Sequence, residues 1–149
     1  MDKPFIKSHS RSLDPKGRLM LPPEYREVLF ADGGNGAFWA TCYFGSLHAF
    51  LPADWMQKVE ALGAIPTQTV AMSHFKTKLM GLAQELVPDL QGRVRIPQVL
   101  MRAAGLEKDV MLVGMGKNFE IWDQRSFDNL TIDDEVSKEL LASGVDLSL

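Results

Sequence analysis

The stretch Leu13-Asp14-Pro15-Lys16-Gly17-Arg18-Leu19-Met20-Leu21-Pro22 returns later in the chain as Pro88-Asp89-Leu90-Gln91-Gly92-Arg93-Val94-Arg95-Ile96-Pro97. Asp14, Gly17, Arg18 and Pro22 match Asp89, Gly92, Arg93 and Pro97 at one constant offset of 75 positions. A fixed offset is the mark of a duplicated unit. Each copy leads into a short helical pattern, Glu24-Tyr25-Arg26-Glu27-Val28-Leu29 and Val99-Leu100-Met101-Arg102-Ala103-Ala104, with Gly105 placed to cap the second helix. Both copies then return to extended structure. Ala40-Thr41-Cys42-Tyr43-Phe44 and Val110-Met111-Leu112-Val113 are followed by glycine-containing turns and by Ser46-Leu47-His48-Ala49-Phe50-Leu51 and Asn118-Phe119-Glu120-Ile121-Trp122. The offset here shortens to 72, so the first copy carries a small insertion, and the tract Asp32-Gly33-Gly34-Asn35-Gly36 is its natural place.

The repeated motif has the chemistry of a tight turn. Asp at the first position accepts backbone N–H bonds from ahead of it, Pro15 fixes φ at the second, and Gly tolerates the positive φ that closes a bulged hairpin. The arginine then leaves the turn on a strand. Alternation along that strand sends Leu19 and Leu21 one way and Arg18 and Met20 the other; in the second copy Val94 and Ile96 face in while Arg93 and Arg95 face out. Upstream, Lys7, His9 and Arg11 also stand two apart. Two paired hairpins would thus present Lys7, His9, Arg11, Lys16, Arg18, Arg93 and Arg95 on a common surface around the Gly17 turn. Such a surface suits nucleic acid, with lysines on phosphates and arginines on guanine edges.

Residues 56–83 between the copies read as helix interrupted at Pro66, with Met72, Phe75, Leu79 and Leu82 along one face. The expected organisation is a first module over 8–55, a helical connector over 56–83, a second module over 84–127 and an acidic segment over 128–149. The fold class expected is α+β, mainly β.

Composition narrows the function. The chain has 149 residues, 46% of them hydrophobic, enough for one compact core or two that share an interface. Charged residues interrupt every apolar stretch, so no membrane span is expected, and the N-terminus lacks the apolar core of a secretory signal. Cys42 is the single cysteine, which excludes an internal disulfide and fits a reducing cytoplasm. The net charge of -3 is unevenly spread. Residues 1–18 carry Lys3, Lys7, Arg11, Lys16 and Arg18 against Asp2 and Asp14, whereas residues 119–149 carry eight acids against Arg125 and Lys138. One end attracts polyanions and the other repels them.

No enzyme is expected. His9, His48 and His74 have neither metal-ligand spacing nor a neighbouring nucleophile motif, and Gly33-Gly34-Asn35-Gly36 lacks the Lys-Ser/Thr ending of a phosphate loop. His48 reads as a partly buried structural histidine and Cys42 as a core thiol. No catalytic residue, metal, cofactor or small-molecule substrate is therefore expected.

At Leu13-Asp14-Pro15-Lys16-Gly17-Arg18, at Asp89-Leu90-Gln91-Gly92-Arg93, at the run from Ala104 to Gly114 and at Phe119-Glu120-Ile121-Trp122, the chain resembles the MraZ family of bacterial transcriptional regulators. These are duplicated relatives of the AbrB-type (SpoVT-AbrB) swapped-hairpin proteins. The resemblance implies two tandem modules packed as a pseudo-dimer in a double-split β-barrel arrangement, and assembly of subunits into a closed homo-oligomeric ring. It further implies binding to double-stranded DNA at short promoter direct repeats, at the nucleoid, with repression of the division and cell-wall gene cluster and of the protein's own gene. Carried over by position, Lys16 and Arg18 contact DNA, with Arg93 in the equivalent hairpin. Where members often begin Phe-Arg-Gly, this chain has Phe5-Ile6-Lys7, and His74, Lys76 and Lys78 stand where the middle helix is often rich in arginine. The rival reading is a protein-interaction module, an AbrB-like antitoxin or scaffold, with residues 133–149 as its partner-binding tail. Two modules fill this chain, which disfavours the one-module-plus-long-tail layout of such antitoxins, and Val136, Leu140, Leu141 and Leu147 are expected at a subunit contact.

Overall fold

The structure, a computed structural model, describes residues 3–149. The first copy supplies β1 (Ser8–Ser12), β2 (Arg18–Met20), α1 (Pro23–Leu29), β3 (Phe38–Tyr43) and β4 (Ser46–Phe50). Two longer helices follow, α2 (Pro52–Ala64) and α3 (Val70–Leu82). The second copy supplies β5 (Gln84–Leu86), β6 (Arg93–Arg95), α4 (Gln98–Ala103), β7 (Asp109–Gly114) and β8 (Asn118–Asp123). Helices α5 (Gln124–Asp128) and α6 (Val136–Ser143) close the chain. This is an α+β protein built on antiparallel strands.

The two copies interlock. A six-stranded sheet runs β1-β7-β8-β4-β3-β5, and β2 pairs with β6 in a separate two-stranded ribbon. The first strand of each copy is therefore donated to the third strand of the other: β1 to β7 and β5 to β3. Exchanging the copies reads the sheet order backwards and leaves it unchanged, so a pseudo-twofold axis relates them. The register locates that axis. In the ribbon Leu19 faces its own counterpart Val94, and in the central pair β4–β8 His48 faces its counterpart Glu120.

The core lies between the inner face of the sheet and the ribbon with α1 and α4. Alternation along β4 and β8 sends Leu47, Ala49, Phe119 and Ile121 inward, each fully buried. Leu19 and Val94 meet them from the ribbon at 0% and 1% exposure, each worth about 1.5–3 kcal/mol of apolar burial. Phe5, Tyr25, Phe38 and Phe119 form an aromatic cluster, with Phe119 5.0 Å from Phe5, 5.0 Å from Tyr25 and 5.4 Å from Phe38 between ring centroids. The outer face of the sheet is covered by α2 and α3. There Trp39 stacks on Trp55 at 5.9 Å and Phe50 stacks on Trp55 at the same distance, while the Thr41 hydroxyl donates to the Leu79 carbonyl.

Several local expectations are settled in detail. The link from α1 to β3 spans residues 30–37, three more than the 104–108 link from α4 to β7, so the insertion sits at the glycine tract. Gly105 (φ 62) ends α4, with the Leu106 N–H donating to the Met101 carbonyl. Two residues leave the strands expected for them. Phe44 (φ 49) and Gly45 (φ 84) form the two-residue turn between β3 and β4, because a tight hairpin needs positive φ at both central positions. Leu51 instead precedes α2, whose first residue is Pro52, a ring suited to the first helical turn and unable to donate to a ladder. Trp55 is thereby on α2. Helix α3 begins at a true cap, Thr69 Oγ1 accepting from the Met72 N–H; its stripe of Met72, Phe75, Leu79 and Leu82 is half-covered, with Phe75 still 37% exposed. Cys42 is half-buried rather than enclosed, and burial pushes its thiol above the ordinary value.

The N-terminal segment is pinned beside β7. Phe5 and Gly116 exchange N–H bonds of 2.7 and 2.8 Å, and the Gly114 N–H donates to the Lys7 carbonyl. A Cβ on Gly114 would stand 2.6 Å from the backbone of Phe5 and Ile6, a contact no rotamer relieves. Lys7 itself holds φ 72, the left-handed region that favours glycine. Two opposite outcomes are expected in denaturant melts. Gly114→Ala lowers stability by about 1–3 kcal/mol through overpacking, whereas Lys7→Gly raises it by roughly 0.5 kcal/mol as the left-handed penalty is relieved.

Candidate nucleic-acid interface

The two repeated turns are near-identical in atomic detail. In the first, the Gly17 N–H donates to the Asp14 carbonyl (2.9 Å) and the Asp14 N–H to the Arg18 carbonyl (3.0 Å), with Gly17 at φ 76. Asp14 Oδ1 accepts from the backbone N–H groups of Lys16 (2.9 Å) and Arg18 (2.8 Å). In the second, Asp89 Oδ1 accepts from Gln91 and Arg93, both at 2.9 Å, with Gly92 at φ 84. The aspartate thus does what the sequence pattern implied for the backbone. Its second oxygen does something sequence reasoning missed. Asp14 Oδ2 accepts from Arg18 Nε at 2.6 Å and Asp89 Oδ2 from Arg93 Nε at 3.0 Å.

Ribbon pairing sets these arginines on one face. Arg18 lies opposite Arg95, and Met20 opposite Arg93, while Leu19 and Val94 point into the core. The face away from the core therefore carries Arg18, Arg93 and Arg95, with Lys16 exposed at the tip of the first turn. Like charges directly opposite across a ladder destabilise it, and the Asp14 carboxylate offsets that at Arg18. Among the described residues Arg95 has no ion-pair partner. Each turn is tied to the other copy: the Ile96 N–H donates to the Gly17 carbonyl and the Leu21 N–H to the Gly92 carbonyl.

The expectation that all seven basic groups share this surface needs correcting. Lys16, Arg18, Arg93 and Arg95 are together on the ribbon. Arg11 flanks it, its Nε donating to the Met20 carbonyl at 3.0 Å and its Nη1 to the Ser10 carbonyl. His9 shares Arg11's face of β1, but that face turns inward. Its ring meets Tyr25 edge-on at 5.3 Å, and Nε2 sits 3.6 Å from Glu24. Lys7 lies before β1 and also faces Glu24, at 3.9 Å. The reason is strand exchange: β1 is laid along β7, which brings Lys7 and His9 to the first turn of α1 and leaves only Arg11 beside the ribbon. Glu24 is held below its ordinary value by its own backbone N–H first, then by the charges of His9, Lys7 and Arg11.

Arg26 is a second residue that sequence reasoning missed. Its side chain lies over the second turn, where a Cβ on Gly92 would come within 2.6 Å of Arg26 Cδ; the equivalent Met101 lies over Gly17, at 3.4 Å from such a Cβ. The repeat offset itself held this signal, since Arg26 and Met101 are one offset apart. His48, half-buried on the axis, faces Glu120 at 3.8 Å and pairs its Nε2 with the Tyr43 carbonyl. No helix among the described residues is long and apolar enough to cross a membrane, and no described cluster of His, Cys, Asp or Glu could hold a metal ion.

Two copies of one turn–strand–helix unit, locked by exchanged strands and displaying arginines on a ribbon at their shared axis, define a fused pseudo-dimer of the swapped-hairpin class. Comparison with known proteins agrees and is more particular. The family model of the MraZ protein, described as antitoxin-like, matches residues 79–142. A protein of Nitratidesulfovibrio vulgaris strain Hildenborough named transcriptional regulator MraZ is 42% identical over 142 residues, covering 94% of this chain and 95% of its own. Namesakes from Maridesulfovibrio salexigens and Verminephrobacter eiseniae are 40% and 36% identical, covering 92% and 83% of this chain and 93% and 85% of their own. The chain belongs to the MraZ family. The relatives carry the name of a regulator, and the chain is not an enzyme.

Bonding to the charged carboxylate sets the pH behaviour of the turns. The Arg18 backbone N–H above all, then the Arg18 guanidinium and the Lys16 N–H, hold Asp14 below its ordinary 3.8; Asp89 is lowered in the same way by Arg93 and Gln91. A depressed folded value means the turn's contribution is complete above 3.8 and is lost as pH falls through the lower, folded value. In a carboxyl-carbon NMR titration both aspartates are expected to titrate below 3.8. Arg18→Ala should bring Asp14 part of the way back up and leave Asp89 unmoved.

Proposed function

We propose that this protein is a sequence-specific DNA-binding transcriptional regulator, acting as a repressor of the division and cell-wall gene cluster and of its own gene. In this reading it binds short, regularly spaced promoter repeats as a closed homo-oligomeric ring at the nucleoid. The observation that carries the reading is the ribbon: Arg18, Arg93 and Arg95 outward, their backs held by Leu19 and Val94 in the core. A two-stranded ribbon fits the major groove, and arginine is the side chain best matched to guanine there. Names of relatives that cover almost the whole chain support the regulator reading.

Roles follow from placement. Arg18, Arg93 and Arg95 read base edges, Lys16 and Arg11 hold phosphate, and Gly17 sets the turn that carries them. Lys7 and His9 face Glu24 and enter the interface by releasing it. One ribbon makes few phosphate contacts, so a ring of subunits on repeated sites gains from effective concentration.

Fluorescence anisotropy with the duplex upstream of the protein's own gene, beside a scrambled duplex and across a salt series, tests the proposal. Tight, salt-sensitive and selective binding is expected, and Arg18→Ala should lose about tenfold or more of the selective affinity with its thermal melt unchanged. Equal weak binding to both duplexes would instead point to a protein-binding role of the antitoxin kind.

A further inference from the structure

We infer that Asp14 and Asp89 are specificity-determining positioning residues, each holding its arginine so that the terminal amino edge of the guanidinium is presented to a guanine. The inference rests on the DNA-binding reading and deepens it. It starts from a division of labour within each carboxylate. Oδ1 alone makes the turn, accepting two backbone N–H groups. Oδ2 takes no part in that and binds Nε of the arginine four residues on. An asparagine would supply Oδ1 equally well, so the turn does not account for the second oxygen.

A general phosphate-binding surface does not account for it either. On a face that carries Lys16, Arg18, Arg93 and Arg95, two carboxylates weaken attraction to a polyanion. Both copies nevertheless keep the same geometry, although the residues between Asp and Gly differ (Pro15-Lys16 against Leu90-Gln91). What the carboxylate supplies is direction. Arginine carries about 2 kcal/mol of rotamer entropy, and a held fork loses less on docking. With Nε occupied, the Nη1–Nη2 edge is what remains, and among the described residues no hydrogen bond takes it up. That edge matches the O6 and N7 acceptors of guanine in the major groove.

The test uses the full chain with Asp14→Asn, Asp89→Asn and the double variant. Each keeps Oδ1 for the turn and replaces Oδ2 by an NH2 group that cannot accept from Nε. Anisotropy is read on the upstream duplex and on the scrambled duplex across a salt series. Expected is a drop of about tenfold in discrimination per site, within the span of one bidentate base contact, while affinity for the scrambled duplex holds or rises and its salt dependence persists. Tighter binding to both duplexes with their ratio kept would overturn the inference and leave the regulator reading standing, for then the acids act as charges alone. Failure of the wild-type chain to discriminate would overturn both. Nitrogen-15 relaxation of the arginine Nε–H groups in the free wild-type protein gives a readout independent of the variants' folding. Ordered Arg18 and Arg93 signals beside a mobile Arg95 are expected, and equal mobility of all three would overturn the inference.

Discussion

The structure depends on strand exchange between the two copies of one unit. Of the six strand pairings, only the hairpins β3–β4 and β7–β8 lie within a copy; β1–β7, β4–β8, β3–β5 and β2–β6 all cross between copies. A single copy would leave its first strand without a partner, its ribbon strand alone and the apolar faces of Leu19, Leu47 and Ala49 uncovered. Isolated two-stranded pieces of this size are marginal in water. Pairing across the axis removes those open edges from the middle of the sheet and leaves β1 and the short β5 outermost. The copies are one cooperative body because neither has a complete sheet without the other.

The ribbon is a by-product of the same constraint that becomes the site. Each β2-type strand has three residues, too few to stand as an edge, and gains its pairing only at the axis. The central residue of each strand must then fill the core, so the flanking ones are forced outward, and arginine occupies three of those four positions. Turn, strand and arginine are coupled over five residues: Asp14 closes the turn with one oxygen and directs Arg18 with the other. Around Glu24 a second, separate set of charges holds β1 and α1 together, with His9 Nε2 and Glu24 Oε2 both buried and without a hydrogen bond.

Much of this was legible in the residues. The Asp-x-x-Gly-Arg repeat identified the turns, and period-two alternation assigned Leu19, Val94 and the arginines to their faces, because those signals are local and steric. The change of offset from 75 to 72 located the loop that differs. What stayed hidden was pairing. Nothing in Lys7, His9 and Arg11 says that β1 travels to β7 rather than lying beside β2, and that choice turns His9 onto Tyr25 and brings Lys7 to Glu24. Phe44 and Leu51 read as strand by hydrophobicity, but the glycine and proline beside them decide their backbone. The hold of Asp14 on Arg18 leaves no mark in the sequence, since an aspartate in a turn already has a sufficient backbone reason to be there. Residues 128–149 have exposed apolar side chains, Leu141 at 84% among them, and among the described residues none of them joins the core.

The pairing of Ser8 with Val113 has a consequence in time rather than in space. Chains leave the ribosome at roughly 5–20 residues per second, so β1 emerges several seconds before the strand that receives it exists. Throughout that interval β1 and the β8-facing edge of β4 are unpaired strand edges, β2 and the outer edge of β3 wait for β6 and β5, and the aromatic face of Phe5, Tyr25 and Phe38 lacks Phe119. Because the receiving strand is made so late, completion of the sheet waits on synthesis. The nascent N-terminal half is thus the stage of this protein's life most dependent on holding by chaperones, and most exposed to pairing with the wrong chain.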